Sequence, residues 1–294
     1  YLIRVLSLSL NTVGLNLSKN VTIVTVTYNS MGVLPDMLKS IPPETPIVIV
    51  DNASEDILKL KALSKRVNAK LIINTVNKGF GEACNQGAKL AKTDFIFFLN
   101  PDASIEKNAL EHLVNSAKIN TKALAFNPKI LKPNGSVYFK RSSHLLNRSS
   151  WMGRSAPKKD SRVNILSGAA FLIRRKAFTD LGGWDENIFL YHEEDDLCLR
   201  VKDIGGELMF VSRAVVRHIR GSSTPYSKKG AYFKGWHMGK SRVYATVKHK
   251  RKYARSLALF VAIIQLTSPV SLVSGRKRAK SWGYLKGVIS SLIT

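Results

Sequence analysis

PIVIVDNASEDILKLKALSKRVNAKLIINTV, residues 46–76, reads as strand, helix and strand. Ile47 to Val50 form an unbroken β-branched run, the composition of a strand buried on both faces, and the polar Asp51–Ser54 ends it. EDILKLKALSKRV then has helical spacing, and KLIINTV (70–76) returns to strand. The same alternation extends both ways. Upstream, VTIVTVTYN (21–29) reads as a buried strand and PDMLKSI as a short helix; downstream come GEACNQGAKLAK (81–92, helix), DFIFFLNPD (94–102, strand) and IEKNALEHLVNSAKI (105–119, helix). Strands and helices in this order predict right-handed βαβ units and an α/β, Rossmann-like, mostly parallel sheet flanked by helices. Beyond residue 120 the pattern loosens into short strands, a polar loop near 141–163 and strand-like NILSGAAFLI (164–173).

Ligands of such sheets bind beyond the C-terminal strand ends. The residues expected there are Thr27, Tyr28 and Asn29; Asp51, Asn52 and Ser54; Asn77 and Lys78; and Asn100 and Asp102. Together they suit a nucleotide-sized pocket. NKGFGEACNQG (77–87) follows the third strand and reads G-x-G-x5-G, which is not the dinucleotide fingerprint and disfavours a nicotinamide enzyme. Asp102, just past four apolar strand residues, is well placed for a divalent cation bridging a diphosphate.

The 294 residues carry 46 Lys and Arg against 20 Asp and Glu, a net +26. A fifth of the acids stand consecutively as Glu193, Glu194, Asp195 and Asp196 within GGWDENIFLYHEEDDLCLR (182–200). Acids suit the positive end of a helix, but four neighbouring carboxylates repel one another. The glycines and aromatics around them point to a shaped pocket. Cys84 and Cys198 are the only cysteines, which excludes a disulfide framework or a zinc site and fits a reducing cytoplasm.

Residues 208–294 hold 18 of the Lys and Arg and no acid, the signature of a segment that meets an anionic surface. Inside it, LALFVAIIQLTSPVSLV (257–273) is uncharged and lies between KHKRKYAR (248–255) and GRKRAK (275–280). It is at the lower limit of a span and is interrupted by Gln265 and Pro269, so an amphipathic helical segment lying on an anionic membrane is expected over 226–294. That placement makes the protein cytoplasmic and peripheral on the cytoplasmic face of the cell membrane. Residues 1–20 read as an unassigned extension with neither a signal-peptide pattern nor a span. The chain opens on Tyr1 rather than Met, which points to a start elsewhere or a trimmed one.

TVTYNS, VDNAS, NKGFGEACNQG, FLNPD, SGAAFLIRR, GGWDENIF and HEEDDLCLR occur in that order. In this series the chain resembles, over roughly residues 20–225, the inverting family 2 glycosyltransferases of GT-A fold, in particular the bacterial rhamnosyltransferase-like branch. The resemblance implies a catalytic domain over 21–225. It implies that Thr27, Tyr28, Asn29, Asp51 and Asn52 hold the base and ribose, with Asn77, Lys78 and Gly79 under the diphosphate. The family's Asp-x-Asp corresponds to Asn100-Pro101-Asp102. The first carboxylate is missing, so Asp102 and His218 are the implied ligands of Mg²⁺ or Mn²⁺, with Asn100 nearby. In the acidic run Glu194 takes the position of the general base, with Asp195 the alternative. Gly168, Ala169, Trp184, Asp185, Glu193 and Asp196 would line the donor and acceptor side, and His192 a wall. The implied partners are a dTDP- or UDP-sugar, rhamnose leading over UDP-hexoses or galactofuranose, and a glycan or lipid-linked saccharide acceptor of cell-surface polysaccharide synthesis.

A glycosidase would need two carboxylates across a cleft but no nucleotide-binding strand ends. A nucleic-acid-binding module would share the basic charge, but no reading motif is present, and no nucleic-acid partner is expected. A catalytically dead family member would not need the acids that survive here.

Overall fold

A computed structural model describes residues 18–219 and 227–293. Most of the N-terminal extension and the expected domain boundary at 225/226 lie outside the described residues. The strands are β1 (Val21–Thr27), β2 (Ile47–Asn52), β3 (Lys70–Asn74), β4 (Phe95–Leu99), β5 (Ala103–Ile105), β6 (Ala123–Leu131), β7 (Val137–Tyr138), β8 (Ser161–Val163), β9 (Ala170–Arg174) and β10 (Glu207–His218). The helices among them are α1 (Leu34–Lys39), α2 (Ile57–Arg66), α3 (Phe80–Lys89), α4 (Ala109–Ile119), α5 (Arg175–Asp180) and α6 (Glu193–Asp203).

One sheet runs in the order β3-β2-β1-β4-β9-β6-β10-β5, with β7 on β6 and β8 on β10. The β3-β2-β1-β4 half is parallel, as its βαβ pattern requires. β9 enters antiparallel between β4 and β6, and β10 runs parallel to β6. Alternation along each strand builds two cores. Ile23, Ile49 and Phe97 face α1, α2 and α4, whereas Val24, Val50 and Phe98 face α3 and α6. No charge interrupts β1 or β4, and only the terminal Asp51 interrupts β2, so both faces can be covered.

Three details depart from the sequence pattern. The strand expected over 94–102 stops at Leu99, and after the Asn100-Pro101-Asp102 turn a separate strand, β5, pairs antiparallel with β10. Ile105 ends that strand, so the helix expected from 105 begins at Ala109. The strand expected from 164 begins only at Ala170. Residues Asn164–Ala169 are held out as a loop because Asn127 of β6 accepts from the Ser167 N–H and donates to the Ser167 and Ala170 carbonyls.

The C-terminal segment is helical as expected: α7 (Lys228–Lys248), α8 (Ala254–Thr267), α9 (Pro269–Val273) and α10 (Gly275–Ile293). It packs as a layer against the α/β body, with Ala245 of α7 joining Leu145 and Ile188. α7 and α10 meet backbone to backbone. A Cβ at Gly235 or Gly239 would lie 2.1 or 2.2 Å from the carbonyl oxygen of Lys280 or Tyr284, and at Gly283 or Gly287 it would lie 2.2 or 2.0 Å from that of Tyr232 or Trp236. Among the described residues no helix is long and apolar enough to cross a membrane.

Gly287→Ala should therefore force the two helices apart at a cost of about 3 kcal/mol, the upper range for overpacking. Hydrogen exchange would report it as faster exchange in α7 and α10 with β1–β4 still protected. Unchanged protection in α7 would show that glycine contact does not hold the pair.

Candidate active site

The strand ends are level: Thr27 pairs with Asp51, and Asn52 with Asn74. Asn52 is the organiser. Its amide donates to Asn77 Oδ1 and the Gly79 carbonyl, both at 2.9 Å, and its Oδ1 accepts from the Lys78 N–H at 3.0 Å. The 77–79 loop is thereby fixed at the N-terminus of α3, where N–H groups suit an anion. Gly79 has φ +85°, and a Cβ there would stand 2.5 Å from the Phe189 carbonyl oxygen. No other residue fits that place. Asp51 is fully buried; Oδ2 accepts from the Ser54 N–H at 3.0 Å, while Oδ1 is buried without a hydrogen-bond partner. Asn29, at φ +53°, donates its N–H to Ser54 Oγ (2.8 Å), and Tyr28 beside it is exposed.

On the far side of β4, the Asn100-Pro101-Asp102 turn meets the end of β10. His218 pairs with Ala103, and its Nε2 stands 3.0 Å from Asp102 Oδ1 and 3.4 Å from Asn100 Nδ2. Asp102 and His218 are both buried, and His218 Nδ1 has no hydrogen-bond partner. Among the described residues no group of three or more His, Cys, Asp or Glu side chains could hold a metal alone. One carboxylate and one imidazole converging on a point do fit a cation that draws its remaining ligands from a diphosphate and water. The Asn100 N–H donates to the Ala169 carbonyl at 3.0 Å, which ties this turn to the Ser167–Ala170 loop.

That loop leads to the acids at the start of α6. The chain enters the helix through Tyr191 and His192, both left-handed at φ +70° and +73°. From there the four carboxylates diverge. Glu194 lies against the loop, its side chain 3.4–3.7 Å from where a Cβ on Gly168 would be, and it accepts from Lys140 Nζ at 2.7 Å. Asp195 pairs with Lys140 at 2.6 Å and His192 at 2.9 Å. Burial would raise the Asp195 carboxyl, but Lys140 and His192 hold it well below its ordinary range. Burial would likewise lower Lys140, but Asp195 and Glu194 raise it above its ordinary value. Of the two candidate bases Glu194 is the more open, its side chain 19% exposed against 4% for Asp195.

Glu193 and Asp196 point away from the cleft. Glu193 is buried, Oε2 has no partner, and burial followed by the Glu194 charge pushes its carboxyl well above the usual range. Asp196 is fully buried inside a cage of Arg200 (2.8 Å), Lys248 (2.6 Å) and His249 (2.8 Å). Burial works against it, yet the His249 bond and the Arg200 and Lys248 charges bring its carboxyl down to about 2. Asp185 takes Lys248 at 2.6 Å and the Tyr244 hydroxyl at 3.0 Å.

Trp184 and Asp196, expected from sequence to line the donor or acceptor side, are therefore corrected. Trp184 is 1% exposed, packed edge-on against Phe80, Phe98, Phe171 and Phe178. Asp196 and Asp185 anchor the C-terminal layer, and Glu193 is buried. Lys140 and Asn127 were not anticipated, because each sits in a stretch without periodicity. Lys248 and His249 were present in sequence but merged into the basic run 248–255.

The Glycosyl transferase family 2 model matches residues 22–182. The chain belongs to glycosyl transferase family 2. It is 28% identical over 248 residues to the N-acetylglucosaminyl-diphospho-decaprenol L-rhamnosyltransferase of Mycobacterium tuberculosis, covering 72% of this chain and 81% of the relative. It is 28% identical over 174 residues to a poly-beta-1,6-N-acetyl-D-glucosamine synthase of Staphylococcus epidermidis, covering 55% of this chain and 41% of the relative. Among solved structures, GalNAc-T7 with UDP, GalNAc and Mn²⁺ superposes with a TM-score of 0.61 at 18% identity, covering 93% of this chain and 56% of that one. S. aureus TarS 1–349 in complex with UDP-GlcNAc gives 0.55 at 15% identity, with 92% and 91% covered. The fold of this family 2 glycosyltransferase is thus GT-A.

Opposite pH responses follow for the two outer acids. Asp196 titrates near 2 in the folded chain against an ordinary 3.8, so its stabilisation is complete above about pH 4 and fades as pH falls toward 2. Asp196→Asn should cost about 2 kcal/mol at pH 7, with the gap to wild type narrowing in denaturant titrations below pH 4. Glu193 is raised, so its contribution is present below its ordinary value of 4.5 and lost as pH rises. Glu193→Gln should match wild type at about pH 4 and gain on it as pH rises; a variant that loses stability relative to wild type as pH rises would contradict a raised Glu193 carboxyl.

Proposed function

We propose that this glycosyltransferase moves a sugar, rhamnose in first place, from a dTDP- or UDP-sugar to a hydroxyl of a lipid-linked or glycan acceptor in cell-surface polysaccharide synthesis. The observation that carries the reading is the Ser167–Ala170 loop. Through Ala169 it bonds the Asp102–His218 turn, and through Gly168 it packs on Glu194. A base and a leaving-group site are thereby joined by four residues. The similarity to a mycobacterial L-rhamnosyltransferase named for a diphospho-decaprenol acceptor supports the choice of sugar and of lipid-linked acceptor.

Uracil and thymine each offer an N3–H, which suits the buried, unpartnered Asp51 Oδ1. The ribose would lie along Thr27, Tyr28 and Asn29, and the diphosphate over Lys78 and Gly79. Asp102 and His218 would hold Mg²⁺ or Mn²⁺, which as a Lewis acid neutralises charge on a departing diphosphate. Glu194 takes the proton of the acceptor hydroxyl as that oxygen bonds to the anomeric carbon. The bond from that carbon to the diphosphate oxygen breaks, the nucleoside diphosphate leaves with the electron pair, and the centre inverts. Lys140 holds the Glu194 carboxylate in position from below, with Asp195 as its second anchor.

Glu194→Gln should lower transfer by about 10³-fold, within the range for loss of a general base, while nucleotide-dependent thermal shift survives. Transfer near the wild-type rate would remove Glu194 from the role. Asp102→Ala should reduce both turnover and metal-dependent nucleotide affinity; unaltered metal dependence would dismiss the Asp102–His218 site. A panel of dTDP-, UDP- and GDP-sugars, scored for nucleoside diphosphate release, identifies the donor.

A further inference from the structure

Helix α8 is amphipathic the wrong way round for a helix that faces water. Its small residues Ala258 and Ala262 turn inward, fully buried against Val243, Tyr284 and Val288. Its large ones turn outward: Leu257 is 50% exposed, Phe260 60%, and Ile263 and Ile264 50% each. The next helix continues the pattern, with Leu272 62% and Val273 90% exposed. Globular helices bury the large apolar stripe and expose the rest, and contiguous apolar patches of this kind mark interaction surfaces.

The glycine packing of the layer has the same outcome. Because α7 and α10 meet through Gly235, Gly239, Gly283 and Gly287, only Tyr284 among the aromatic side chains of α10 is buried, bonded to Arg242 of α7. Trp282 is left 44% exposed, with Lys286 Nζ 5.2 Å from its ring centroid. Indole rings with cations beside them suit the headgroup level of a bilayer.

Charge decides what covers this face. Arg251 and Lys252 stand just before α8 and Arg255 in its first turn, and Lys277, Arg278 and Lys280 follow α9 in the first turns of α10. No acid occurs anywhere in 208–294. A second copy of the chain would oppose these cations with the same cations, whereas an anionic headgroup layer would oppose them with phosphates.

We propose that α8, α9 and the outward face of α10 form a docking surface for an anionic phospholipid bilayer, lying in its plane with the apolar side chains among the acyl-chain ends. The surface is read from these helices alone and does not depend on which sugar or acceptor the enzyme takes. It is a face of the folded layer, fixed to the catalytic domain through Lys248 and His249, and not a loose tail.

Co-sedimentation of the full chain with vesicles tests it, using phosphatidylcholine alone and phosphatidylcholine mixed with phosphatidylglycerol. Wild type should sediment with the mixed vesicles, weakly with the neutral ones, and less as salt is raised. Phe260→Ser with Leu272→Ser should weaken partitioning more than tenfold, given the apolar area withdrawn, and Lys252→Glu with Arg278→Glu should remove the preference for anionic vesicles. Donor-dependent thermal shift confirms that each variant is folded. Wild type that stays in the supernatant, or double-serine protein that sediments as wild type does, overturns the proposal. So does a chain that binds no vesicles and sediments by ultracentrifugation as a dimer that the serine pair dissociates, which would assign the face to self-association.

Discussion

Four carboxylates in one helical turn are the constraint around which the rest of this molecule is arranged. Two unit charges 5 Å apart repel by about 3 kcal/mol at an effective dielectric of about 20, and a helix N-terminus returns about 1 kcal/mol or less. The dipole alone cannot hold Glu193, Glu194, Asp195 and Asp196 together. The structure gives each a different fate: Glu193 is driven toward its neutral form by burial, Asp195 shares Lys140 with Glu194, and Asp196 is enclosed by Arg200, Lys248 and His249. Glu194 is left at the cleft. Its availability is a consequence of how its neighbours are satisfied.

Residues 184–192 carry that arrangement through the molecule. Trp184 plugs the core, bonded front and back to Asn85 of α3, whose Oδ1 accepts its N–H and whose amide donates to its carbonyl. Phe189 accepts from the Phe80 N–H beside the 77–79 loop and stacks on His237 of α7 at 4.0 Å. Tyr191 and His192 then pass through left-handed backbone, a cost of about 1–3 kcal/mol each. Non-glycine residues persist there because contacts on three sides determine the path. The 77–79 loop, helix α6 and the C-terminal layer thus share one short segment.

The parallel half of the sheet was legible because β1, β2 and β4 are nearly uninterrupted apolar runs separated by helical periods, and nothing long-range is needed to read them. The strand-end residues were legible for the same reason. What escaped were features decided by distant partners. Residues 164–169 have strand composition, yet Asn127 competes for their backbone and wins with two hydrogen bonds to Ser167 and a third to Ala170 beyond. Trp184 stands among glycines and acids in sequence but meets four phenylalanines from α3, β4, β9 and α5 only in the fold. Lys140 carries no local signal at all; its role exists because the loop before β8 folds under α6.

The basic C-terminal segment and the acidic run were separable in sequence and are not separable in space. Asp196 and Glu194 lie within one turn of α6, so whatever fixes Asp196 also fixes the rotation of the helix that presents Glu194. Two of the three basic side chains around Asp196 come from the end of α7 and the residue after it. Without them a fully buried carboxylate would keep Arg200 alone, and stripping partners from a buried charge costs about 3–5 kcal/mol. α7 also reaches α8 through five residues, 249–253, so the outward apolar face and α6 are braced against the same ion cluster. Part of the positive charge that seemed to belong to a tail is spent inside the fold, holding α6 and its acidic first turn in register.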